Sequence, residues 1–321
     1  MIFQIVIFIV SIFILSWLSS RLVASLIVIA KQLHWREFII AFFVMAFAAS
    51  LPNLFVDINA AIHGMPEVAF GDIVGGNLVD LTLVIAIAML FSLKALPAES
   101  EMVQKSAIFT SIIAVLPILL VWDGILNRGD GIILLLAFFL YSWWLFSKED
   151  RFKKTYRGRP SNSQKNIFVL IFNFVKIIVF LALLLIASFC VIESAKLFSN
   201  QLGMSLSLVG ILIIGLGNGF PEIYFSIISA KKGENWLILG DLMGSVIVTA
   251  TLVLGIIAIF FPFEIKDLSP FVLARVFTVI ASLVFVIFIR TGKKITKQEG
   301  LIFLSIYILF ILAEIFMPYF K

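Results

Sequence analysis

Long apolar runs separated by short polar breaks fill almost the whole chain. They predict about ten membrane spans, at roughly 2–30, 37–62, 68–93, 106–122, 131–147, 167–198, 206–230, 236–262, 269–290 and 298–318. Several exceed the ~20 residues a straight helix needs to cross a bilayer, which implies tilts or breaks. The first run is too long for a cleavable leader and has no cationic stretch before it, so it reads as a retained span. One polar interval, KEDRFKKTYRGRPSNSQK from Lys148 to Lys165, is long enough to be a linker, and it divides the spans five and five. It reads as a solvated cytoplasmic loop beside anionic lipid.

Composition strengthens that picture. Of 321 residues, 62% are hydrophobic and 13% charged, too little polar surface for a soluble domain. The expected fold is therefore an all-α, polytopic membrane protein with the lipid bilayer as solvent. Charge then sets orientation. With the N-terminus outside, the inner connections hold Lys31, Arg36, Lys94, Lys105, the Lys148–Lys165 cluster, Lys231, Lys232, Arg290, Lys293, Lys294 and Lys297. The outer ones hold only Arg128, Lys196, Lys266 and Lys321, so both termini are expected outside. The net charge of +5 is thus a topology signal, and no nucleic-acid partner is expected.

Two stretches repeat. SLPNLFVDINAAIHG (Ser50 to Gly64) aligns with GFPEIYFSIISAKKG (Gly219 to Gly233), and GDIVGGNLVDLTLVIAI (Gly71 to Ile87) with GDLMGSVIVTATLVLGI (Gly240 to Ile256). A single offset of 169 residues superposes Pro52 on Pro221, Gly64 on Gly233, Gly71 on Gly240, Asp72 on Asp241, Gly75 on Gly244 and Thr82 on Thr251. Matches at Pro, Gly and Asp are hard to obtain by chance in so apolar a chain. The domains are therefore read as a first five-helix repeat over 1–147, the basic linker 148–166 and a second repeat over 167–321. Five spans is an odd number, so the second copy enters the membrane inverted. That architecture belongs to secondary transporters, whose ion site lies where interrupted helices of the two repeats meet. Pro52 and Pro221 are such interruptions, since each removes a helical hydrogen bond and leaves carbonyls near Ala48 and Gly217 seeking a partner.

These paired stretches, about 39–90 and 208–260, resemble the two alpha-repeats of the sodium/calcium exchanger (cation/calcium exchanger) superfamily. Its hallmark is a small-residue run ending in Pro-Glu, then Gly-(Asn/Asp)-x-x-Gly-Ser on the next helix, both occurring twice. The resemblance implies alternating-access exchange of calcium, or a related cation, against sodium or protons. It implies inorganic cations as partners and no cofactor. The first-repeat glutamate position is occupied by Asn53, a departure, and the second by Glu222. The next polar pair falls at Asp80 and Thr249, giving a central quartet Asn53, Asp80, Glu222 and Thr249. The family serine falls at Gly76 and Ser245, and its Thr-Ser pair at Ala49-Ser50 and Asn218-Gly219. Carbonyl ligands would fall near Ala46 and Gly215.

Two carboxylates neutralise one divalent ion, so calcium binding stays plausible, while proton coupling through Glu222 or Asp80 is the main alternative. A third carboxylate, Asp57, stands one turn beyond Asn53 and reads as a displaced charge shifted toward the outer mouth. Asp72 and Asp241, each beside a glycine, read either as caps of following half-helices or as ion contacts. Lys176, Glu193 and Glu314 have no repeat counterpart, and snorkelling or local pairing is expected of them. The chain has no HExxH or GxSxG, one cysteine (Cys190) and two separated histidines (His34 and His63), which argues against an enzyme. A channel-like or non-transporting member of the same fold is the remaining rival.

Overall fold

The structure, a computed structural model, describes residues 2–32, 50–147, 167–233, 235–265 and 267–316. Among these, nine segments are long and apolar enough to cross a membrane, and Leu51–Ile62 is a shorter apolar helix. We label the helices α1 (Ile2–Gln32), α2 (Leu51–Ile62), α3 (Pro66–Phe91), α4 (Glu101–Leu120), α5 (Arg128–Ser147) and α6 (Ile167–Leu202). The second half holds α7 (206–218), α8 (Phe220–Lys232), α9 (235–260), α10 (Val272–Gly292) and α11 (Lys297–Phe316). The start of the expected second span, Ala46 included, and the linker 148–166 lie outside the described residues.

The breaks follow from the sequence. Pro52 and Pro221 each sit in the first turn of their helices, where a missing N–H leaves no bond unmade. The segment 206–232 is therefore one span in two pieces, α7 ending at Asn218 and α8 starting at Phe220. α2 and α8 both finish on a left-handed glycine, Gly64 (φ 71°) and Gly233 (φ 75°). A Cβ at either would meet nothing within 4 Å, so the backbone angle alone accounts for the repeated glycine. Inside α3 and α9 the helix widens into π turns at Asp80–Val84 and Val248–Val253, places equivalent in the two repeats. A third π turn spans Val209–Ile214 in α7. Thr82 and Thr251 bond back to the carbonyls of Leu78 and Ile247 at the two equivalent turns, the kind of contact that bends a helix.

α3 and α9 form the middle of the bundle, 78% and 83% buried over their apolar windows, against 28–33% for the peripheral α5, α6, α10 and α11. Close approach holds the centre together. Gly71 and Gly75 of α3 face Gly210, Ile211 and Gly215 of α7 so closely that a Cβ on Gly71 would lie 2.7 Å from the Ser207 carbonyl oxygen. One on Gly215 would lie 2.8 Å from the Gly76 nitrogen. Small residues that admit backbone contact are the usual adhesive between helices in lipid. α1 packs along α6, and both present large apolar side chains outward, such as Phe3, Phe13, Phe168 and Ile186.

Short ribbons tie the connections. β1 (Leu96–Pro97) pairs antiparallel with β4 (Lys294–Ile295), and β2 (Ile125–Leu126) with β3 (Phe263–Glu264). β1 and β4 are separated by six spans and β2 and β3 by four, so each ribbon joins two connections at one end of the bundle. After β2, Asn127 and Asp130 exchange backbone hydrogen bonds that start α5. After β4, Thr296 and Glu299 do the same for α11. These capping boxes stand at repeat-equivalent positions with different residues.

Candidate functional site

Elements from both halves converge on one closely packed polar cavity. It is lined by Asn53 of α2, Ile73, Gly76, Asn77 and Asp80 of α3, Asn218 of α7, Gly219 between α7 and α8, Glu222 of α8 and Thr249 of α9. All four residues of the expected quartet are thus brought together. Each stands where the local helix is irregular. Asn53 and Glu222 lie in the first turns of α2 and α8, where the positive end of a helix favours an anion at Glu222. Asp80 opens the π turn of α3, and Thr249 lies in that of α9. Such turns are frequent at functional sites.

Hydrogen bonding organises one side of the cavity and leaves the other open. The Thr249 hydroxyl lies 2.8 Å from Asn77 Oδ1 and 2.9 Å from the Ser245 carbonyl oxygen, and its one proton serves one of them at a time. Ser245 donates to Glu222 Oε1 at 3.4 Å and also neighbours the Asp80 carboxyl. Asn53 Oδ1, Asn218 Oδ1 and Glu222 Oε2 are buried acceptors with no partner. Buried polar atoms are almost always satisfied, so three orphan oxygens around one cavity form a wall suited to a hydrogen-bond donor, a water or a cation. Glu222 and Asp80 are both nearly fully buried, at 2% and 4% exposure, and neither forms an ion pair with Lys, Arg or His among the described residues.

The other expected residues fall around this centre. Ser50 is buried directly before α2. The Gly215 carbonyl accepts the Gly219 N–H at 3.2 Å, and Gly215 packs on Gly75 and Gly76 outside the cavity lining. Asp57 also lies outside the lining and meets Asp72. Asp72 and Asp241 are mid-helix residues of α3 and α9, so neither caps a half-helix, because the breaks fall elsewhere. Asp72 accepts from Asn218 Nδ2 at 2.6 Å, while Asp241 is half-buried on the side of Asp80 and Glu222. Glu193 pairs locally with Lys196 at 2.6 Å, as expected. Glu314 departs from that expectation, since α11 packs against α3 and buries it with Oε1 unpartnered. Asn77 was missed by sequence reasoning. Its signal was an amide inside an apolar span one turn before Asp80.

Carboxylate, amide and hydroxyl oxygens gathered from two inverted repeats of a many-spanning chain are the arrangement of the class of membrane transporters. A family model described as sodium/calcium exchanger protein matches residues 3–147 and 172–316. The chain belongs to that family. It is 25% identical to the sodium/calcium exchanger MaX1 of Methanosarcina acetivorans over 92% of this chain and 93% of that one. It is 28% identical to the putative antiporter CaxA of Alkalimonas amylolytica over 93% and 94%, and 25% identical to the inner membrane protein YrbG of Escherichia coli over 81% of each. Its fold matches the sodium-calcium exchanger NCX_Mj soaked with 10 mM Na+ and zero Ca2+, with a TM-score of 0.65 and 23% identity, covering 97% and 99% of the two chains.

Proposed function

We propose that the protein is a secondary active antiporter that exchanges Ca2+ for Na+ by alternating access, with Asn53, Asp80, Glu222 and Thr249 around the transported cation. The observation that carries this reading is the buried cavity between the repeats, with two carboxylates and three orphan oxygens and no cationic side chain on its wall. Calcium takes six to eight oxygens, and the wall supplies them from Asp80, Glu222, Asn53, Asn77, Asn218 and Thr249. Two carboxylates balance the charge of one Ca2+, and Na+ competing for the same oxygens would release it. The C-terminal end of α7, at Asn218, directs its carbonyl end toward the same region, as half-helices do at cation sites of inverted-repeat transporters. Relatives named as a sodium/calcium exchanger and a putative antiporter support the reading. We place the β1–β4 end of the bundle, with Lys94, Lys105, Lys231, Lys293 and Lys294, in the cytoplasm and both termini outside.

The test is flux. Purified protein in liposomes loaded with radiolabelled Ca2+ should release it when a Na+ gradient is imposed at constant pH. Release driven by a pH gradient alone, and indifferent to Na+, would replace sodium by protons in this account. Ca2+ movement without any imposed counter-ion would make the protein channel-like.

A further inference from the structure

Resting on the placement of the β1–β4 end at the inner membrane surface, we propose that this end is a docking surface for the headgroups of anionic phospholipids, built on Lys94, Lys231, Lys232, Lys293 and Lys294. Lys293 raises the question. It is the one non-glycine residue with positive φ among the described residues, at 51° just past the end of α10. A side chain in that conformation is crowded against its own backbone, which glycine avoids. The equivalent place in the first repeat, 169 residues earlier, is Gly124, at φ 84° after the short helical turn that follows α4. The second repeat therefore keeps a lysine where the backbone suits glycine, and the reason lies in its side chain. Complementing the C-terminal end of α10 is not that reason, because Arg290 already stands in the last turn of the helix.

The duplication supplies an internal comparison for the other four. Lys94, Lys231, Lys232 and Lys294 align with Phe263, Ile62, His63 and Ile125, none of them lysine or arginine. The equivalent ribbon β2–β3 forms without those charges, so the fold does not require them. All five lysines are exposed. Among the described residues, Lys105 at this end is held by Glu101 at 2.6 Å, and no ion pair joins any of the five. Glu299, the acid nearest to β4 in sequence, spends its Oε2 on the Thr296 N–H and hydroxyl. The surface is left cationic.

Hydrogen bonds gather these lysines from three connections. The Lys293 carbonyl accepts the Ala98 N–H at 2.9 Å, beside the β1–β4 pairing. Asn235, at the start of α9, donates through Nδ2 to Ser92 Oγ at 2.9 Å and lies 3.1 Å from the Lys94 carbonyl oxygen. Lys231 and Lys232 close α8 just before Asn235, so their turn is joined to the loop that carries Lys94. Apolar side chains stand among the charges. Leu93, next to Lys94, is 93% exposed, and Leu90 and Phe91 at the end of α3 are open as well. The Lys231 ammonium lies 5.1 Å from the centre of the Phe91 ring. Apolar side chains entering the acyl region beneath cations at headgroup level make an interfacial contact with lipid. Anionic lipid of the inner leaflet supplies the counter-charge through its phosphodiester. Topology alone would be served by a lysine at any unstrained position, whereas a ligand fixes where the charge must stand. The connections follow α3 and α8, the helices of Asp80 and Glu222, so a bound headgroup braces the inner ends of both repeats.

The experiment follows the melting temperature of the purified full-length protein in an uncharged detergent as phosphatidylglycerol, phosphatidylcholine or inorganic phosphate is added. Phosphatidylglycerol should raise it to a plateau, and the other two should leave it unchanged. Combining Lys94→Gln, Lys293→Gly and Lys294→Gln should move the half-maximal phosphatidylglycerol concentration up at least ~10-fold. Lys153→Gln with Lys154→Gln, in the basic linker, should keep the wild-type response. Lys293→Gly alone tests the reason for the strained backbone. Without lipid it should melt no lower than wild type, since glycine adopts the left-handed angle readily. A lower melting temperature there would assign Lys293 to the fold and overturn the proposal. So would a wild-type response from the triple variant, a response lost in the linker variant, none in the wild-type protein, or an equal response to inorganic phosphate. The readout needs neither transport nor an assigned orientation, so its failure and a failure of the exchange reading are told apart.

Discussion

Asp80 and Thr249 occupy equivalent places in the two repeats and both line the cavity, yet only one is charged. Ser245 reaches Asp80 and Glu222 together, and Thr249 lies one turn beyond Ser245. The charge should therefore be movable across the site. Asp80→Asn is expected to weaken Ca2+ uptake into proteoliposomes at least ~10-fold in apparent affinity, because Ca2+ sites are tuned by their count of charged ligands. Combining it with Thr249→Asp should recover most of the loss. Normal uptake by Asp80→Asn would assign Asp80 to packing. At this scale the quartet was legible through the resemblance to the exchanger alpha-repeats, whose motif positions fall on its four members at the repeat offset. Asn77 was not, because its counterpart is Val246 and the comparison discarded it. The surroundings of Asp57 were only partly legible for a related reason. Spacing along α2 ties it to Asn53, whereas packing of α2 on α3 turns it toward Asp72.

The helices that carry these side chains are positioned by contact between backbones. α3 crosses α7 at Gly71 and Gly75, where a Cβ on Gly75 would overlap the carbonyl group of Ile211. Gly75→Ala must separate the two helices and with them Asp72 from Asn218. We expect a loss of about 1–3 kcal/mol in stability, the usual range for overpacking. A lower melting temperature with reduced Ca2+ affinity would be the signature. Gly240→Ala, where a Cβ meets nothing within 4 Å, is the matched control and should leave both unchanged. An unaltered Gly75→Ala would show that the crossing tolerates movement. Breaks at Pro52 and Pro221 were legible, because proline cannot continue a helix. The π turns were not, since nothing in local composition separates Asp80–Val84 from an ordinary apolar turn. The Thr82–Thr251 match marked them, but its meaning as a pair of back-bonding hydroxyls needed the backbone. The capping boxes escaped notice because Asn127–Asp130 and Thr296–Glu299 share chemistry and no residue identity.

Across the whole molecule, the duplication found in two short stretches extends to the loops. The two ribbons exchange places between the repeats, each binding a connection of one half to a connection of the other. This leaves the two halves interleaved around a shared centre, with the acids of the cavity contributed by both. Odd span number and inversion were legible in the sequence; the interleaving was not, because it depends on pairings across more than a hundred residues. The central claim is that this shared centre holds the transported cation, and Glu222 is its most direct probe. Titration calorimetry of Ca2+ into purified wild-type and Glu222→Gln protein, both checked for an unchanged melting temperature, measures it. The account predicts that Glu222→Gln binds Ca2+ at least ~10-fold more weakly, a loss of about 1.4 kcal/mol or more. Equal affinity in two folded proteins would contradict it, and would place the cation somewhere other than the cavity between the repeats.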